Sequence, residues 1–271
     1  MRNFSRVPFR GAEEIPYAAI FCFLKNEDTA MIRFIFGAPG TGKTYRIFKL
    51  LKEDPDNSFL IVPEQQTVVS ERLALERLPF TAQLGFEVLN FTRLANRVFR
   101  LYGGLSYHYI NPSMRSLFMW RTLRELSPML EEYSRTGGEL SLTPLMLGAA
   151  DELTACSVTP AMLESAALKL PDGPLKRKLR DLSMIVSAYR GLVAESFDDR
   201  NEDLCKLADI LDAHAFFRGT EVFIDSFTSF TALEYGIIER IFRQADNVTV
   251  TLGCESQAKR ESPRPKLRSL S

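Results

Sequence analysis

The 271-residue sequence has no CxxC pair and only two histidines. Its four cysteines, Cys22, Cys156, Cys205 and Cys254, stand far apart. That spacing matches neither a zinc nor an iron–sulfur pattern. It fits free thiols in a reducing cytosol, so a cytoplasmic location is expected. An excess of one charge is missing too, since 34 Lys and Arg balance 34 Asp and Glu. Such a chain has no global pull toward nucleic acid or an anionic membrane, and any contact of that kind must come from a local patch. Long apolar runs are also lacking. The longest near the N-terminus, AAIFCFL (18–24), is far short of the roughly 20 residues of a spanning helix. Glu13 and Glu14 precede it and no small-residue cleavage site follows, which makes it a poor signal peptide. No membrane partner is expected. His108 and His214 have no ligand-type neighbours in suitable spacing and read as structural.

What is present is an ordinary globular balance, 45% hydrophobic and 25% charged. It is enough for one large domain or two small ones. Residues 1–30 lack clear periodicity and read as a doubtful, disordered leader, with Met31 as the natural start. The segment 255–271 is polar, basic and proline-containing; it reads as a disordered tail on a chain that looks truncated. Between them, β-like runs alternate with helical ones. Strands are expected at 32–36, 58–62 and 86–90, each followed by a helix, at 43–52, 67–78 and 92–101. Such alternation implies a parallel sheet. From about 111 to 218 the strand-like runs disappear. Leu182, Ile185, Val186, Tyr189, Leu192 and Val193 recur at helical spacing, and Thr159-Pro160 reads as a helix N-cap followed by proline at the first turn. Trp120 among Met114, Leu117, Phe118 and Leu123 reads as core or subdomain packing. Over 219–254 a strand (221–225), a helix (232–242) and a strand (248–252) return. The expected fold is therefore α/β: a parallel sheet of the P-loop NTPase kind over 31–110 and 219–254, with an all-helical subdomain inserted at 111–218.

The stretch Gly37, Ala38, Pro39, Gly40, Thr41, Gly42, Lys43 and Thr44 fits GxxxxGK[ST] at every fixed position. Glycines let backbone N–H groups turn inward around phosphate oxygens, and the helix that follows points its positive end at the same anion. Lys43 is placed to reach the β and γ phosphates of ATP, and Thr44 to hold Mg²⁺. A chance match in a glycine-rich turn is the alternative. Such a loop needs a strand-end acid to organise the metal, and Asp225, closing EVFID, is the candidate; it could also simply end a strand. The next residue is Ser226. A hydroxyl is a poor general base near neutral pH, so ATP binding is expected with little or no hydrolysis, and no catalytic residue is assigned.

The ordered segments FGAPGTGKT, LIVPEQQTVVSERLAL, EVLNFTRLANRVFR and EVFIDSFTSFTALE resemble the N-terminal part of the AddB (RexB) subunits of bacterial ATP-dependent helicase–nucleases. The resemblance covers about Met31 to Glu255. It implies the first motor domain of superfamily 1 helicases (1A-like) with a helical insert. It implies ATP and Mg²⁺ as cofactors, an AddA-like partner subunit in a heterodimer, and DNA, single-stranded or as duplex ends, as the other partner. The implied role is in double-strand break repair by recombination, in a subunit that is not itself the motor. Asp225 carries over to the helicase segment that normally starts Asp-Glu, and Ser226 is the departure. FTRLANRVF is similar to a segment that touches single-stranded DNA. Phe91, Thr92 and Arg93 are the contact candidates there, by aromatic stacking and a guanidinium on phosphate, with Gln65 and Gln66 beside them. The bland alternative is that Phe91 is core and Arg93 a solvated helix residue. No upstream adenine-contacting LNxxQ segment is found, which leaves base selectivity open. The cysteine-bound cluster of the family's C-terminal nuclease does not carry over to these four cysteines, so no iron–sulfur cluster is expected. This chain alone is expected to lack nuclease activity.

Lys176, Arg177, Lys178 and Arg180 form a basic cluster that could meet DNA phosphates or form a solvated helix face. Two other function classes stay open: an independent P-loop ATPase or kinase, and a truncated, non-catalytic remnant with a vestigial loop.

Overall fold

The computed structural model describes residues 19–23, 31–53, 57–80, 83, 85–106, 108–134 and 140–253. They form an α/β protein of two compact units. A sheet unit takes the described residues of Met1–Phe91, Ala215–Ser229 and Glu239–Ser271, and a helical unit takes those of Thr92–His214 and Phe230–Ile238.

The sheet unit carries β1 (Ala19–Phe23), β2 (Met31–Gly37), β3 (Ser58–Ile61), β4 (Phe86–Leu89), β5 (Glu221–Ile224) and β6 (Asn247–Gly253), with helices α1 (Lys43–Glu53) and α2 (Thr67–Arg77). The strand order is β1-β2-β6-β5-β3-β4. β1 runs antiparallel to β2, while β2 to β6, β6 to β5, β5 to β3 and β3 to β4 are all parallel. Every residue of β3 is buried, and so is most of β5. That burial explains why SFLI and EVFI read as near-continuous apolar runs rather than alternating ones. Ile47, Phe48 and Leu51 of α1 share one core with Leu60, Val88 and Phe223 of the sheet.

Part of the leader expected to be disordered is a strand. Ala19–Phe23 pairs with β2 from Ala19 opposite Phe36 to Phe23 opposite Ile32. The apolar AIFCF run covers an edge of β2 that would otherwise present unpaired backbone groups. The rest of 1–30, and all of 255–271, lies outside the described residues.

The helical unit contains α3 (Phe91–Tyr102) from its second residue on, α4 (Pro112–Leu126), α5 (Leu142–Ala155), α6 (Pro160–Leu168), α7 (Pro174–Ala194), α8 (Asp203–Ala213) and the first half of α9 (Ala232–Gln244). This unit begins at Thr92, earlier than the expected 111, and ends its first stretch at His214. The cause is the turn after α3. Gly103 and Gly104 have φ of 92° and 109°, a left-handed backbone that suits glycine. A β-carbon on Gly104 would lie 3.2 Å from Phe99 and 3.4 Å from Ile210, so the turn brings α3 and α8 together.

Local chemistry sets the helix starts. Asn111 accepts the Met114 N–H at 2.9 Å ahead of Pro112. Thr159 accepts the Met162 N–H at 3.3 Å ahead of Pro160. Both are N-caps with proline in the first turn. Of the stripe read from periodicity, α7 buries Ile185, Val186, Tyr189 and Val193 and half-buries Leu182 and Leu192, and it also buries Asp181. The stripe on α4 differs from expectation. Met119, Thr122 and Leu123 are buried, Leu117 is 49% exposed, and Trp120 is half-buried with the Arg124 guanidinium 4.8 Å above its ring. His214 stacks on Tyr102 at 4.3 Å. Among the described residues no helix is long and apolar enough to cross a membrane, and no His, Cys, Asp and Glu cluster is arranged to hold a metal.

Candidate functional site

β2 ends at Gly37 and α1 starts at Lys43; the loop between them closes on itself. Gly40 and Gly42 both have positive φ, 80° and 82°, a conformation that costs a side-chain-bearing residue about 1–2 kcal/mol. Thr41 Oγ1 donates to the Ala38 carbonyl at 2.8 Å. Lys43 Nζ donates to the Gly37 and Ala38 carbonyls at 2.8 and 3.0 Å. Nothing lies within 4 Å of where a β-carbon on Gly40 or Gly42 would sit, so the loop is open on that side.

The strand order decides what the loop faces. β2 and β3 are consecutive in the chain, yet β6 and β5 lie between them. The crossover through α1 passes over the face of the sheet past β6 and β5, and the loop that opens it lies at the carboxyl end of β2, the end at which open α/β sheets bind their ligands. Asp225 follows β5 directly. It is 2% exposed, and its N–H donates to the Ile61 carbonyl at 3.0 Å, which ties it to β3. Thr44 Oγ1 donates to Asp225 Oδ2 at 2.7 Å. Thr251 Oγ1 on β6 donates to the other carboxylate oxygen, Oδ1. Ser226 is exposed and has φ of 65°, so the chain turns sharply away from the carboxylate at that point.

The two candidate ligands that sequence singled out, Thr44 and Asp225, are thus in direct contact. Thr251 was not anticipated; two threonines in a strand of otherwise apolar character, Thr249 and Thr251, were the only signal. Of the candidate DNA contacts, Phe91 is 6% exposed, with its ring 5.7 Å from that of Phe227. A base could stack on it only if that contact opened. Thr92 and Arg93 are exposed at the start of α3, and Gln65 and Gln66 are exposed on the short turn Glu64–Gln66 before α2. Gln65 belongs to the sheet unit, and Thr92 and Arg93 to the helical unit. The basic cluster is divided: Lys176 pairs with Asp172 at 2.7 Å and Arg177 with Glu132 at 3.2 Å, while Lys178 and Arg180 are exposed.

The model of the AddB N-terminal family matches residues 34–267. The chain belongs to that family. Several AddB-type proteins are similar to it, each named as the B subunit of an ATP-dependent helicase/deoxyribonuclease. The one from Thermoanaerobacter sp. (strain X514) is 34% identical over 226 residues, which is 82% of this chain and 20% of that protein. The one from Caldanaerobacter subterraneus subsp. tengcongensis is 33% identical over 226 residues, with the same shares of the two lengths. That from Clostridium tetani is 31% identical over 229 residues, again 82% and 20% of the two lengths. The chain thus spans about a fifth of the length of the curated AddB relatives it matches.

Proposed function

We propose that the chain is the nucleotide-binding N-terminal module of the B subunit of an ATP-dependent helicase/deoxyribonuclease. Its sheet unit is read as a P-loop NTPase sheet like the first motor domain of helicases, and its task is to bind Mg·ATP and DNA beside an AddA-like partner in double-strand break repair. The observation that carries this reading is the hydrogen bond from Thr44 to Asp225, at 2.7 Å between residues 181 positions apart. It joins the loop to the strand-end acid, as Mg²⁺-dependent nucleotide binding requires.

The residues fit that ligand. Thr44 and Asp225 supply hard oxygen donors suited to Mg²⁺, and Lys43 supplies a cation whose present partners are two loop carbonyls. The metal would neutralise phosphate charge when bound. The chain's own part is to aim the loop amides and the α1 N-terminus at the phosphates and to hold Thr44 in place through Asp225. Ser226 has no acidic group to take a proton from water, so turnover is slow and the module is not the motor. Thr92 and Arg93, on the helical unit, and Gln65, on the sheet unit, are each read as a DNA contact.

The test is calorimetric titration of the 271-residue chain with Mg·ATP, with Lys43→Ala as control and with and without single-stranded DNA. Binding lost in Lys43→Ala, with negligible turnover, is the expected result. No binding by a folded wild-type chain overturns the proposal and leaves a non-catalytic remnant. Rapid hydrolysis indifferent to single-stranded DNA would favour an independent ATPase.

A further inference from the structure

We infer that Thr251 is a positioning residue for the Mg²⁺ site: its hydroxyl fixes the Asp225 carboxylate so that Oδ2 is turned toward Thr44. The inference rests on the reading of Thr44 and Asp225 as the metal-binding pair.

A carboxylate that is 2% exposed must have its oxygens satisfied by the protein. Asp225 achieves this with one threonine on each side. Oδ2 accepts from Thr44 on α1 at 2.7 Å, and Oδ1 accepts from Thr251 on β6. With the backbone N–H of Asp225 given to Ile61, the residue is held from β3, β6 and α1. Only the α1 contact belongs to the loop that would meet a ligand. The β6 contact sits behind the site, in the sheet, and its work is to remove the carboxylate's rotational freedom. Partners of this kind orient metal-binding groups and affect metal affinity without touching the metal.

Thr251 is itself 3% exposed. A buried hydroxyl costs free energy unless it is bonded, and valine has the same shape without that cost. The strand contains its own comparison. Thr249, two residues earlier on the same face and 0% exposed, has a hydroxyl with no hydrogen-bond partner. Threonine in β6 therefore does not acquire a partner by default; Thr251 has one because Asp225 stands beside it.

The experiment is calorimetric titration with ATP in excess Mg²⁺ and in EDTA, on wild type, Thr251→Val, Thr251→Ser, Thr251→Cys and Thr249→Val. The quantity read is the gain in ATP affinity that Mg²⁺ confers. Thr251→Val should lose about 10- to 100-fold of that gain, the range for outer-shell partners of metal ligands, with ATP affinity in EDTA unchanged. Thr251→Ser should restore it, and Thr249→Val should match wild type. Thr251→Cys, a weaker donor no larger than threonine, should fall between Ser and Val, and it keeps the ranking measurable if the valine variant does not fold. A Mg²⁺ gain equal to wild type in Thr251→Val or Thr251→Cys overturns the inference while the nucleotide site stands. Equal losses with and without Mg²⁺, unrestored by Thr251→Ser, overturn it in favour of a packing role. If wild type gains nothing from Mg²⁺, the reading of the metal pair falls and the inference with it.

Discussion

Thr41 Oγ1 occupies the space in which a side chain on Gly37 would have to begin. The two residues bracket the tightest part of the loop, and the same hydroxyl is bonded to the Ala38 carbonyl. Gly37→Ala therefore forces Thr41 to rotate and give up that bond. The expected loss is about 1–2 kcal/mol, one hydrogen bond plus local strain. Because the clash is with a side chain, Gly37→Ala/Thr41→Ala should be less destabilised than the sum of the single variants. Urea denaturation of the three variants checks this, and simple additivity would show that the backbone, not Thr41, is the obstacle.

Asp181 supports the helical unit. Its buried carboxylate accepts the N–H groups of Glu131, Glu132 and Tyr133 at 3.1, 2.8 and 3.1 Å, binding the segment after α4 to α7. Asp181→Ala leaves three donors without their partner. It should cost roughly 2–4 kcal/mol, from the loss of charge-assisted bonds and the burial of unpaired amides. Lys178→Ala on the exposed side of the same helix should change stability by less than about 0.5 kcal/mol. Chemical denaturation of both variants measures the contrast.

The acid limb of the stability curve has a local contributor at Asp198. Its hydrogen bond from Lys206, then that from Ser106, hold its carboxyl below the ordinary aspartate range. A depressed carboxyl stabilises the fold fully above its unfolded pKa of about 3.9, and that contribution disappears as pH falls through the folded value. Neighbouring Asp203 works the other way: burial raises its carboxyl, against the lowering by the Tyr109 hydroxyl and the Lys206 charge. Its cost therefore appears as pH rises past the aspartate range. Lys206→Ala removes support from both carboxylates. The Tm difference from wild type should be largest near neutral pH and shrink as pH falls below the ordinary aspartate range and through the lowered folded value of Asp198, which a pH series of thermal melts reads directly. A difference independent of pH would mean that Lys206 acts by packing alone.

Sequence made some of this legible and hid the rest for identifiable reasons. The loop is local: glycines, Lys43 and Thr44 lie within eight residues, so spacing alone exposes them. Asp225 was readable because it closes an apolar strand. Thr251 was not, because its role depends on β6 lying between β2 and β5, and strand order leaves no mark on spacing. On α4, Met114 and Phe118 pack against the core that holds Met119 and Leu123, as their spacing suggested, whereas Leu117 is exposed and the buried Thr122 was missed because a polar residue leaves no mark on an apolar stripe. Phe91 sits where a helix begins, and an aromatic in that place reads equally as a stacking platform or as core; only its ring contact with Phe227 distinguishes the two. The β1 strand escaped notice because AIFCF lies outside the strand–helix alternation that exposed the parallel strands; it joins the sheet antiparallel to β2.

The placement of β6 also has a consequence for synthesis. A chain emerging from the ribosome can pair β3 with β4 as soon as Leu89 is free, but β2 has no parallel neighbour until β6 arrives. The intervening residues of the helical unit have their own core and can condense first, since domains generally fold as units from the N-terminal side. The glycine loop is thus made well before β5 and β6, and it acquires its surroundings only when they arrive. Throughout that interval a newly made chain carries the glycine loop and Thr44 without the carboxylate to which Thr44 is later bonded.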